Sequence, residues 1–169
     1  IFEEIDEHVI ERYVFDYIFS IIRLVRAVLP PMRRRRCGKI AFCLHWAWWL
    51  ALPGFSIHSA AISALYGFGR SLRIETASLG IQIFSVTFSS KGGTRLPDKQ
   101  ATQFQEYDGI RPIVVALSQS GQSPNDVVAR VVDIIQRPNN SFHNYVAPHW
   151  ITAFLLFLRR MLPESLFEW

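Results

Sequence analysis

Two histidines thirteen positions apart, His45 and His58, are the side chains here best suited to chemistry. A neutral imidazole titrates near physiological pH, so either can move a proton, and either can ligate a metal. Two histidines without a clear third ligand make a weak metal site, so no metal is expected. Cys37 and Cys43 lie six residues apart, which matches neither zinc spacing nor a disulfide framework and suits a reducing compartment. Arg33 to Arg36 form the one basic run in a chain of net charge +4. It reads as a solvated helix end, and no nucleic acid is expected as a partner.

The elements that must position these groups are read from periodicity. Residues 2–32 read as one long helix, with acidic residues at its start and Pro30 and Pro31 closing it, so that the arginines follow its end. Residues 39–45 are a short buried strand. Ser56 is the N-cap of a helix over 56–77. A second strand covers 81–88. Residues 89–122 are a polar loop, with short helices near 101–107 and Val114. Pro124 opens a helix to Gln136, residues 142–146 form a third strand, and 149–161 a last helix. Helices alternating with strands point to parallel crossover units, a partial doubly wound sheet of about three strands with flanking helices. Its strands are 39–44, 81–88 and 142–146, connected by right-handed crossovers.

With 169 residues, half of them apolar, the chain is long enough for one domain with a core. Residues 40–55 are nearly uncharged but too short for a membrane span and broken by Pro53-Gly54. Residues 150–169, apolar and then basic at Arg159 and Arg160, suit contact with a membrane surface. The chain opens on Ile1 within a helix pattern, which reads as a piece of something longer or an altered reading start.

The stretch GKIAFCLHWAWWLALPGFSIHSAAISALYGFGRSLR (38–73) resembles the catalytic strand and helix of the short-chain dehydrogenase/reductase family, of steroid- and retinol-type members in particular. Gly38, Lys39, Ile40, then Leu52 to Ser56, then Gly67, Phe68, Ser71, Leu72 and Arg73 keep the family's frame. FEEIDEHVIERYVFDYIFSIIRLVRAVLPPMRRRR, SLGIQIFSVTF, SPNDVVARVVDIIQRP and NYVAPHWITAFLLFLRRMLPESLFEW are similar to further family segments, in the family's order. The resemblance implies a Rossmann-type fold and chemistry with NAD or NADP. It places Tyr17, His45, His58 and Ile62 where the family has its catalytic Asn, Ser, Tyr and Lys. The Thr that touches the nicotinamide amide falls at Gly93, with Thr94 one step away.

The family's Gly-rich turn, G-x-x-x-G-x-G, does not occur in these residues, nor does its Asn-Asn-Ala-Gly segment. The chain therefore reads as a single domain over 1–169 that corresponds to the catalytic and substrate-binding half, with no cofactor expected for this chain alone. The leading expectation is a degenerate homologue without self-sufficient activity, a pseudoenzyme or interaction module. It would self-associate through the helices over 2–32 and 56–77, where family members dimerise. One alternative is a genuine alcohol or ketone oxidoreductase whose cofactor-binding half is supplied elsewhere. Another is a membrane-associated binder of an apolar ligand. The expected location is cytoplasmic, at a membrane surface in the last reading.

Overall fold

The computed structural model describes residues 2–45, 54–88 and 123–146, together with Gly109 and Pro112. Three parallel strands form an open sheet in the order β1-β2-β3: β1 is Gly38–His45, β2 Ile81–Phe88 and β3 His143–Val146. β1 and β2 pair along their full lengths, from Gly38 opposite Ile81 to His45 opposite Phe88. β3 pairs only with the end of β2, from Ser85 opposite His143 to Phe88 opposite Val146. The parallel sheet expected from the sequence is therefore present, within a residue of the expected strand limits.

Successive side chains in a strand point to opposite faces, so each strand feeds two cores. On one face Phe42, Leu44, Ile81 and Ile83 pack with Val25 and with Ile62, Leu65 and Leu72. Leu65 and its neighbours belong to α3, Ser56–Glu75, and Val25 to α2, Ser20–Arg35. On the other face Phe84, Val86 and Val146 pack with Val127 and Ile134 of α4, Pro124–Gln136. β2 is central and buried over most of its length, its apolar residues interspersed with Gln82, Ser85 and Thr87, of which Ser85 donates to the Phe142 carbonyl at 3.0 Å.

The two helices thus cover opposite faces while the strand order advances one step in the same direction each time. Two right-handed crossovers would place both helices on one face. The expectation of a single hand for both connections is corrected here. The physical reason lies in length: residues 89–122 stand between β2 and α4, and so long a connection is not bound to the short route that fixes the hand.

The first helical region also departs from its sequence reading. Residues 7–35 are one continuous helical rod, made of α1, Glu7–Val14, a π-helical turn at Phe15–Phe19 and α2, but a short turn at Phe2–Glu4 stands apart from it. The break falls at Asp6, whose carboxylate accepts from the His8 N–H at 2.8 Å, so the side chain caps a new helix. Pro30 and Pro31 do not end α2, which runs through them to Arg35. Leu29 and Met32 on either side pack against the core, and that burial outweighs the loss of two backbone donors. Arg33, Arg34 and Arg35 form the last turn, and Arg36 ends it in the left-handed conformation at φ 50°. Ser56 is the first helical residue of α3, not its cap. Phe55 holds the cap position, its carbonyl accepting from the Ser59 N–H at 2.7 Å.

Gly80 makes the turn into β2 at φ 71°, where a Cβ would lie 2.2 Å from the Arg36 carbonyl oxygen, so only glycine fits. Arg73 near the end of α3 donates to the Ile83 carbonyl at 2.7 Å and to the Asn140 carbonyl at 3.1 Å, linking β2 to the turn before β3. Among the described residues no helix is long and apolar enough to cross a membrane. The expected helices near 101–107, Val114 and 149–161, the membrane-contact stretch 150–169 and Thr94 lie outside the described residues.

Candidate functional site

The carboxyl end of β1, the first turn of α3 and the join of α1 to the π-helical turn meet at one place. β1 delivers His45 as its last residue, and α3 carries His58 two residues after it starts. The two rings lie 5.4 Å apart between centroids, tilted by 59°. Phe55 stacks on His45 at 6.3 Å with an interplanar angle of 8°.

The helical region closes the other side. Tyr13 and Tyr17 stack at 4.2 Å and 15°, four residues apart across the wider π turn, and both present edges to His58 at 6.2 Å. π turns recur where a helix must re-aim a side chain. The Tyr13 hydroxyl lies 2.5 Å from His58 Nδ1. If the phenol O–H donates, Nδ1 accepts and the imidazole hydrogen sits on Nε2. Tyr13 is the residue that the sequence reading missed. Its signal was the Tyr-x-x-x-Tyr spacing, which puts both rings on one side of a helix.

Burial sets the charge state here. It lowers the His45 pKa to about 4, with help from the neighbouring His58, and lowers that of His58 as well. It raises the Tyr13 hydroxyl far above its ordinary value, and Tyr17 adds to the rise. At neutral pH the cluster is therefore an uncharged assembly of aromatic rings with two imidazoles inside it. The opposed shifts keep the proton on Tyr13, so the pair hydrogen-bonds in its neutral form, and the cluster offers no fixed charge to a cofactor phosphate. Among the described residues no group of three or more His, Cys, Asp or Glu is gathered as a metal site needs.

Ile62 lies one helical turn beyond His58 and does not join them. It is 5% exposed, in the core cluster that also holds Val25, Phe42, Leu44 and Leu65. An aliphatic group in that core can neither donate to a ribose nor lower the pKa of a neighbouring acid. The residues present thus do not fit a nicotinamide cofactor at this position.

No protein-family model matches the chain. It is 28% identical to the 3-dehydrosphinganine reductase of Danio rerio over 134 residues, 78% of this chain and 38% of that protein. It is 31% identical to human retinol dehydrogenase 8 over 137 residues, 72% of this chain and 44% of that protein. The crystal structure of a short-chain dehydrogenase from Streptomyces avermitilis superposes with a TM-score of 0.76 at 24% identity, over 94% of this chain and 61% of that one. The chain spans less than half the length of the two curated relatives.

Proposed function

We propose, from the premise that this chain belongs to the short-chain dehydrogenase/reductase family, that these 169 residues do not carry out NAD(P)-dependent oxidoreduction by themselves and serve as a binding or interaction module. The observation that carries the reading is Ile62. At the place of the family's lysine stands a side chain buried in the core, so the change is built into the packing and is not a surface variation. His45 and His58, at the places of Ser and Tyr, keep hydrogen-bonding capacity but sit among rings.

Self-association belongs to the same proposal, through the helical regions 2–32 and 56–77. α3 leaves Ala60, Ala64, Gly67 and Ser71 exposed at helical spacing, small side chains that let a second helix approach closely. Gly67 has open space around it.

A second reading has its own support. The Tyr13–His58 hydrogen bond keeps a hydroxyl and an imidazole together at the position of the family's acid/base, which is what an oxidoreductase completed by cofactor-binding residues outside this sequence would retain. Titrating the isolated chain with NADH and NADPH, followed by nucleotide fluorescence, tests the proposal. No saturable binding is expected, and a micromolar dissociation constant would overturn it in favour of the second reading.

A further inference from the structure

Charge is sorted along the helical rod over residues 7–35. Glu7 and Glu11 lie near its start, just after the acidic residues Glu3, Glu4 and Asp6. No Asp or Glu occurs between Asp16 and Glu75. The second half of the rod carries Arg23, Arg26, Arg33, Arg34 and Arg35, because α2 continues through Pro30 and Pro31. The rod is therefore acidic at one end and basic at the other. Among the described residues no carboxylate pairs with any of these arginines, whereas Asp16 is engaged within the rod by Arg12 at 3.7 Å.

Between the charged ends the exposed side is aromatic. Glu11, Phe15, Phe19, Arg23 and Arg34 recur at steps of four and eleven residues, close to whole turns, so they share one side of the rod. The opposite side, with Ile21, Val25, Leu29 and Met32, packs on the core. Phe15 is 45% exposed and Phe19 52%. Their rings are 6.1 Å apart, and the Arg23 guanidinium lies 5.0 Å over Phe15. Exposed rings between ends of opposite charge form a surface complementary to its own copy, provided that the copy runs the other way.

We infer, resting on the self-association proposed above, that two copies pair along this rod antiparallel, about a two-fold axis between Phe19 and Arg23. Setting Glu7 and Glu11 of each copy against Arg33 and Arg34 of the other puts the midpoint there, so one register matches both ends. Phe19 of each copy then lies opposite Arg23 of the other, a cation beside a ring, and both phenylalanines leave water. Parallel rods would set arginine against arginine at one end and glutamate against glutamate at the other, with the helix dipoles also aligned against each other. The small side chains exposed on α3 allow close approach but set no direction. The order of charge along the rod sets it, and makes the association sensitive to salt.

The test combines light scattering of the full 169-residue chain with cysteine cross-linking. The parent should be a dimer whose dissociation constant rises with salt. Arg33→Glu/Arg34→Glu should weaken the dimer at least about tenfold, and adding Glu7→Arg/Glu11→Arg to that variant should restore it. Far-UV circular dichroism checks that each variant is folded. Direction is read in a Cys37→Ser/Cys43→Ser background. There His8→Cys/Arg34→Cys should cross-link on oxidation by diamide. His8→Cys alone should not, because antiparallel rods hold the two copies of residue 8 about 40 Å apart. A dimer indifferent to Arg33→Glu/Arg34→Glu, no recovery in the fourfold variant, or cross-linking through His8→Cys alone overturns the antiparallel pairing and leaves self-association standing. A parent that stays monomeric at every concentration overturns both.

Discussion

Two histidine clusters on this sheet are built from similar residues and differ in what surrounds them. At the end of β1, His45 and His58 lie among Tyr13, Tyr17 and Phe55. At β3, His143 stacks on Tyr145 at 6.4 Å and on Tyr66, whose hydroxyl is 2.9 Å from His143 Nε2, while Phe142 presents an edge. Both clusters hold their imidazoles neutral, by different means. At β1 burial is the main cause, with the second histidine adding to it for His45. At β3 burial leads, but Arg70 and Arg73 also repel the proton. Arg70 additionally sits over the Tyr66 ring at 5.9 Å. A cluster flanked by fixed cations is a packing feature tied to its neighbours' charge. At the β1 cluster the depression rests on partial burial and, for His45, on the second histidine, so any group that brings in charge or water must disturb it.

The largest expected disturbance is to bring a cation to the first cluster. Ile62→Lys places an ammonium in the core one turn from His58. It should cost about 3–5 kcal/mol, the usual penalty for an unpaired buried charge, read as a lower urea midpoint. A variant as stable as the parent would mean that the core can admit water here, and the contrast drawn between the two clusters would fail. Added NADH should not recover the loss.

A smaller effect tests the Tyr13 hydrogen bond and the pH response together. Tyr13→Phe should cost about 1 kcal/mol. It should raise the His58 pKa, because the donor to the neutral imidazole is gone; NMR titration of the ring protons reads this. The histidine pKa values are depressed in the folded state. Below 6.5 the unfolded chain therefore binds more protons than the folded one, and stability is lost as pH falls. For His45 the window runs from pH 6.5 down to about 4. His45→Phe should flatten the thermal-unfolding profile there, and a slope unchanged by that substitution would show that other groups carry the acid response.

The smallest effect sharpens the comparison most directly. Raising the salt concentration screens exposed Arg70 from His143 but does not change the partial burial of His45 and His58. The His143 pKa should rise in high salt, while His45 and His58 stay within error. Parallel shifts at all three would remove the distinction.

Much of this architecture is legible in the residues. β2 is readable because β-branched and aromatic residues follow the turn at Gly80, and β1 and β3 follow from their flanking turns. The meeting of His45 and His58 is readable because the segment carrying both keeps a family frame. What was not legible depends on contacts remote in sequence. The passage of α2 through Pro30 and Pro31 is decided by the burial of Leu29 and Met32, against local propensity. The cap at Phe55 displaces a serine better suited by type. Ile62 was known to replace lysine, but its place in the core depends on the β1 side chains beneath α3. Tyr13 enters the site through its hydrogen bond to His58, forty-five residues away, a contact that its spacing from Tyr17 does not reveal.

Arg73 has a consequence for the order in which the sheet assembles. Its guanidinium joins the Ile83 carbonyl, ten residues away, to that of Asn140, sixty-seven residues away. The first contact is available once α3 meets β2, but the second must wait for the chain to return after a long excursion. Closing a long loop carries an entropic cost before its contacts form, so distant pairings come late. β1, α3 and β2 thus form a nucleus, with Arg73 already half engaged and its remaining donor turned toward the place where β3 arrives. The arginine acts as a latch on β3, and that latch is expected to close after β1 and β2 have paired.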